Sequence, residues 1–192
     1  MLKLFRQSAV ALVALGVIVG AIYPLAITGI SQAFFTREAG GSMIVQDDKV
    51  VGSELIGQPF SDPGYFWSRP SATTPIPYNA SASAGSNLGP TNPVLLRLIG
   101  ERIESLRVAD PGNVDPVPVD LVTTSASGLD PHISPAAAEY QVERVAEARG
   151  LPVEVVRAVV ADHTEGRQWR ILGEPRVNVL ELNLALDALT GR

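Results

Sequence analysis

Two loops of small residues are where this sequence could do chemistry. Ser83-Ala84-Gly85-Ser86-Asn87-Leu88-Gly89-Pro90 and Ser125-Ala126-Ser127-Gly128-Leu129-Asp130-Pro131 each run toward a helix that opens with proline after a polar cap. Such loops can cradle an anion, because free backbone amides and the helix dipole converge at a helix start. The bland alternative is that these Ser and Gly residues simply build turns and caps. Neither loop contains a Gly-Lys-Ser or Gly-Lys-Thr, and no lysine follows Lys49, so autonomous nucleotide hydrolysis has no support. His132 stands beside Asp130 and near Ser125 and Ser127, which raises a second possibility, a tethered hydrolase or ligand-binding protein using the Ser125–His132 loop. No Gly-x-Ser-x-Gly elbow accompanies it. His163 is the only other imidazole and closes a helix, where a cation suits the dipole. There is no His-Glu-x-x-His, no closely spaced ligand set and no cysteine, so neither a metal site nor thiol catalysis is expected. Trp67-Ser68-Arg69 and Trp169-Arg170 pair aromatics with arginine, a composition that fits either the edge of a core or a contact with a partner.

The elements that must position these residues begin with a membrane segment. Lys3 and Arg6 are the only charged side chains before Arg37, and residues 8–30 are almost wholly apolar. As a helix of about 1.5 Å per residue this stretch crosses a hydrocarbon core of about 30 Å. The basic residues on its N-terminal side place residues 1–7 in the cytoplasm and the remainder outside. A cleaved signal peptide ending at Ser31-Gln32-Ala33 is the competing reading, but its apolar region would be far longer than the usual 7 to 15 residues. Pro24 predicts a kink near the exit, and Gly16 with Gly20 a close-packing face. Residues 31–42 read as a linker ending in the flexible Ala39-Gly40-Gly41-Ser42.

Residues 43–192 then read as one soluble α+β domain with a small β-sheet and about four helices. Met43–Val45 and Val50-Val51 form a hairpin around Asp47-Asp48. Helices start at Asn92-Pro93, at Ser134-Pro135 (running to Gly150), near Pro152 and at Asn178, where Glu181 completes a capping-box pattern. Val119–Thr123 reads as a strand. Beyond Thr36 the chain holds 13 basic and 20 acidic residues, a net charge of −7. An acidic domain without a basic stripe is a poor fit to nucleic acid.

Several ordered motifs now become specific. Gly57-Gln58-Pro59-Phe60, Tyr65-Phe66-Trp67-Ser68-Arg69-Pro70-Ser71, Gly85 through Pro93, Asp120 through Ser134, Tyr140-Gln141 with Arg144-Val145-Ala146, and Val177 through Asp187 follow a lone N-terminal membrane helix. Along essentially its whole length the chain resembles the C subunit of the bacterial Kdp potassium-transporting P-type ATPase. The resemblance implies a non-catalytic accessory subunit in the inner membrane. Its partners would be a channel-like potassium-translocating subunit, a P-type ATP-hydrolysing subunit and a small stabilising membrane subunit. It further implies a catalytic chaperone that raises the ATP affinity of the hydrolysing subunit through a transient ternary complex, with no nucleotide bound stably. The nucleotide-linked residues would then be Gln141 and the Ser125, Ser127, Gly128 and Asp130 loop. The charge pattern suggests two other roles for an outer domain, gathering cations near a pore and bracing the assembly.

Overall fold

The computed structural model describes residues 1–191 and divides the chain into two compact units, Met1–Val51 and the remainder from Gly52. The first unit is dominated by α1 (Leu2–Phe34), 33 residues, with a strongly apolar stretch in which no residue is buried, and long enough to cross a membrane. It extends beyond the apolar run at both ends. Pro24 lacks an N–H and its ring crowds the carbonyl four residues earlier. The helix answers with a π-helical turn at Ile18–Ile22, just ahead of the proline. Gly16 and Gly20 face open space.

The linker sequence is built as a structured turn. Thr36–Ala39 forms α2, closed by the Gly41 N–H to the Glu38 carbonyl and the Ser42 N–H to the Arg37 carbonyl. Gly41 takes φ +85°, the left-handed conformation that such helix ends require. β1 (Met43–Gln46) and β2 (Lys49–Ser53) pair as the expected hairpin. Asp47 and Asp48 both adopt positive φ, as a two-residue primed turn demands.

The second unit is α+β. A segment of loops and turns, with a 3₁₀ turn at Ala80–Ala82, leads from Gly52 to α3 (Pro93–Ala109), capped by Asn92. After it come α4 (Val119–Val122), β3 (His132–Ile133), α5 (Pro135–Glu139), α6 (Val142–Arg149) and α7 (Val153–Asp162). The chain closes with β4 (Thr164–Glu165), β5 (Arg176–Asn178) and α8 (Val179–Thr190). β3 and β4 flank β5 in a three-stranded antiparallel sheet, with Ile133 and Thr164 both opposite Val177. Val177 is fully buried and packs with Phe66, Val145, Val156, Leu182 and Leu186 in the core.

Two expectations are corrected. Val119–Thr123 is not a strand: α4 occupies Val119–Val122, and the Thr123 N–H bonds the Val119 carbonyl. Leu121 and Val122 are both buried, and a helical turn can bury consecutive side chains where an alternating strand exposes every second one. The helix from Ser134 is also broken at Tyr140-Gln141. The Gln141 side chain donates to the Ala137 carbonyl, the acceptor its own backbone N–H would use, and that N–H turns to Ala138 instead.

Candidate functional site

The two Ser-Gly loops lie against each other. The Ala84 N–H and the Ser83 hydroxyl both donate to the Ser127 carbonyl at 3.0 Å. A Cβ on Gly85 would come within 2.8 Å of the Ala126 carbonyl oxygen, so the contact is backbone on backbone. Gly128 has φ +68°, and a Cβ there would meet the Ala84 carbonyl oxygen at 2.6 Å and Thr73 Cγ2 at 2.7 Å. Only glycine satisfies both the conformation and the space.

Within the second loop the serines serve the backbone. Ser125 Oγ accepts from the Gly128 N–H at 2.8 Å, and Ser127 Oγ from the Leu129 N–H at 3.1 Å. The two hydroxyls are 3.4 Å apart. His132 turns Nδ1 to Asp130 at 3.2 Å, whereas Ser125 and Ser127 each accept from a backbone N–H of their own loop. A nucleophile–base pair needs a hydrogen bond between hydroxyl and imidazole. These serines are turn-forming residues.

Asp130 is the electrostatic centre of the loop. Its Oδ1 accepts from the His132 backbone N–H at 3.1 Å, and its Oδ2 faces Arg69 at 3.4 Å. Burial pushes this carboxyl upward, but the His132 hydrogen bonds and the charges of His132 and Arg69 together hold it below the ordinary range. Arg69 also donates from Nε to the Thr123 carbonyl and from Nη2 to the Thr124 carbonyl, so one guanidinium fixes the loop's entrance and its acid. Tyr78 donates its hydroxyl to the Arg69 carbonyl, and burial pushes that phenol up to about 12. Arg69 and Asp130 line two shallow cavities, one of about 550 Å³ with Ser125 and Ser127 and one of about 520 Å³ with Asp120, His132 and Arg176.

Gln141 is elsewhere. It lines neither of those cavities, and it is 1% exposed. Its Oε1 accepts from the Trp67 N–H and from Arg144 Nη2, both at 2.7 Å. Its Nε2 donates to the Trp67 carbonyl at 3.2 Å and the Ala137 carbonyl at 3.1 Å. That uses both lone pairs and both protons of the amide. One residue away in the same strand-like segment, Asn183 of α8 does the same for Phe66, accepting from its N–H at 2.8 Å and donating to its carbonyl at 3.0 Å. Two side-chain amides thus stand in for a strand partner and lock Phe66-Trp67 into the helical core.

Arginines complete the lock. Arg144 stacks over Trp67 at 4.7 Å and donates to the Tyr65 carbonyl, and its burial lowers its pKa to about 10. Arg149 lies over Tyr65 at 4.8 Å and pairs with Asp187 at 2.9 Å, its side chain fully buried. Sequence reasoning missed Asn183 and Arg149 in these roles. The available signal was polarity out of place: Asn183 lies between Leu182 and Leu186 on a helix whose apolar face faces the core. Among the described residues no group of three or more His, Asp or Glu side chains is placed to hold a metal ion.

The chain thus pairs a first unit built on a helix long enough to cross a membrane with an α+β second unit whose Ser-Gly loop hydroxyls serve its own backbone. The KdpC family model, described as the K+-transporting ATPase c chain, matches residues 5–188. The chain is 61% identical over 189 residues to the potassium-transporting ATPase KdpC subunit of Methylococcus capsulatus, covering 98% of this chain and 100% of that one. It is 59% identical over 190 residues to the protein of the same name from Dechloromonas aromatica, covering 99% and 100%. The chain belongs to the KdpC family.

Proposed function

We propose that this chain is a non-catalytic accessory subunit of an ATP-driven potassium uptake pump, held in the bacterial inner membrane by α1 with its N-terminus in the cytoplasm and its α+β unit outside. Its partners there are a channel-like potassium-translocating subunit, a P-type ATP-hydrolysing subunit and a small stabilising membrane subunit. The role is mechanical: a rigid outer domain bracing the assembly. The observation that carries this reading is the internal use of the candidate nucleotide residues, above all Gln141, whose four hydrogen-bonding positions are all taken within the core. A nucleotide approaching Gln141 would have to break the Phe66-Trp67 lock to be recognised. Any influence on ATP affinity then passes through the partner subunits and not through a nucleotide held by Ser125, Ser127, Gly128, Asp130 and Gln141.

Sidedness tests it. The chain has no cysteine, and Ser81 sits exposed in the 3₁₀ turn Ala80–Ala82. In intact cells carrying the assembled pump with Ser81→Cys, a membrane-impermeant maleimide is expected to label the chain fully. Protection until lysis would place the domain in the cytoplasm and return the nucleotide loop to the lead.

A further inference from the structure

Between β4 and β5 the chain rises into a narrow hairpin closed by Gln168 and Leu172. Gln168 and Leu172 exchange backbone hydrogen bonds at 2.9 Å, and three residues turn between them. Trp169 is 83% exposed, Ile171 72% and Leu172 48%. Trp169 and Arg170 both sit at positive φ, +50° and +66°, a conformation that disfavours bulky side chains. A tryptophan held out in this way, most of its surface open, is placed to meet something outside its own unit.

The surroundings narrow what that is. On the stalk Glu174 pairs with Arg167 at 2.7 Å and Glu165 with Arg176 at 2.9 Å, so both acids near the tip are neutralised while the domain as a whole is strongly acidic. Exposed Arg170 stands at the apex. Three apolar side chains fall well short of the roughly 800 Å² per partner that a stable protein interface buries. Such a tip suits a contact added to an association already made. The chain makes that association itself, through α1, and only residues 35–51 separate the helix from the second unit. Even fully extended, that stretch reaches no more than about 60 Å. Trp at the level of the headgroups, aliphatic side chains at the acyl boundary and Arg on phosphate oxygens are the chemistry of a bilayer surface.

We propose that the Gln168–Leu172 tip is a membrane-surface contact: Trp169 and Ile171 seat in the headgroup layer of the leaflet on the domain's side, and Arg170 pairs with lipid phosphate, fixing the domain's orientation over the bilayer. This rests on the reading of α1 as a retained anchor, and it does not depend on which side of the membrane the domain occupies.

The test uses the full chain reconstituted in vesicles of phosphatidylcholine and phosphatidylglycerol, with and without brominated acyl chains, alone and assembled with the pump's other subunits. Trp67 and Trp169 are the only tryptophans, so native minus Trp169→Phe emission isolates the tip. That difference signal is expected to fall roughly twofold in brominated vesicles, as for a Trp at the interfacial level, both alone and in the assembly. Vesicle-bound protein with no such quenching overturns the lipid contact and leaves the anchor intact. Quenching that disappears on assembly assigns the tip to a partner subunit and also overturns it. A chain that does not float with the vesicles overturns the anchor and the tip contact together.

Discussion

At the scale of single residues, the informative side chains are polar groups used as backbone substitutes. Gln141 and Asn183 each satisfy both main-chain groups of an adjoining residue, Trp67 and Phe66, at 2.7–3.2 Å. Removing one partner of a buried hydrogen bond costs more than the bond contributes, because the other partner stays desolvated. Gln141→Ala strands the Trp67 N–H and carbonyl and opens a cavity, so it is expected to destabilise the domain by about 3 kcal/mol. Gln141→Glu retains the acceptor and gains a charge partner in Arg144, but loses the donor to the Trp67 and Ala137 carbonyls, so it should recover only part of the loss. Chemical unfolding followed by the Trp67 signal in a Trp169→Phe background measures both. A Gln141→Ala variant of native stability would show that the lock is incidental. Asp187→Ala makes a parallel case: it leaves the fully buried Arg149 side chain without its carboxylate, and a loss of about 3–5 kcal/mol is expected in the same assay.

At the scale of elements, the contact between the two Ser-Gly loops is set by glycines and not by side-chain chemistry. Gly128→Ala forces an L side chain into φ +68° and drives its Cβ to 2.6 Å from the Ala84 carbonyl oxygen, so it should cost about 2–4 kcal/mol and open both loops to proteolysis. Gly100→Ala inside α3, where nothing lies within 4 Å, should instead stabilise by about 0.5–1 kcal/mol. Thermal melts of the two variants check the opposed signs. These elements also show what a linear reading can reach. The helix starts at Asn92, Ser134 and Asn178 were legible because a cap is local chemistry, and in each the side chain accepts from its own first turn. The small residues of the loops were legible as turns for the same reason. Val119–Val122 and the break at Gln141 were not, because tertiary partners decide them: the core that takes Leu121 and Val122 together, and the Trp67 backbone that draws the Gln141 amide away from a regular helix. Nor could the sequence reveal that Gln141 stands apart from the Ser125–Asp130 loop, since both lie in neighbouring stretches of a motif-dense region.

At the scale of the whole molecule, two carboxyls bend the stability curve in opposite directions. Asp130 titrates below its usual 3.8, so the folded state binds fewer protons than the unfolded one across that interval. Its contribution is therefore complete above the unfolded value and lost as pH falls through the folded value. Glu181 behaves in the reverse sense. Burial raises it above 4.5, and a hydrogen bond and the charge of Glu54, with the charge of Glu165, raise it further. Its contribution is present below 4.5 and lost as pH rises through the raised value. The midpoint of thermal unfolding should thus decline on both flanks of a maximum in the mildly acidic range, with the acid flank belonging in part to Asp130 and the rise toward neutrality eroded by Glu181. Asp130→Asn should flatten the acid flank, and Glu181→Gln the neutral one, each leaving the other limb in place because the two groups belong to different local networks. Melting the full chain in detergent across pH 3 to 8, a range that brackets both ordinary carboxyl values, reads these flanks directly. If Glu181→Gln left the neutral flank unchanged, the Glu54–Glu181 contact would have to be fully solvated, and the acidity of the domain would then be carried without any cost to its fold.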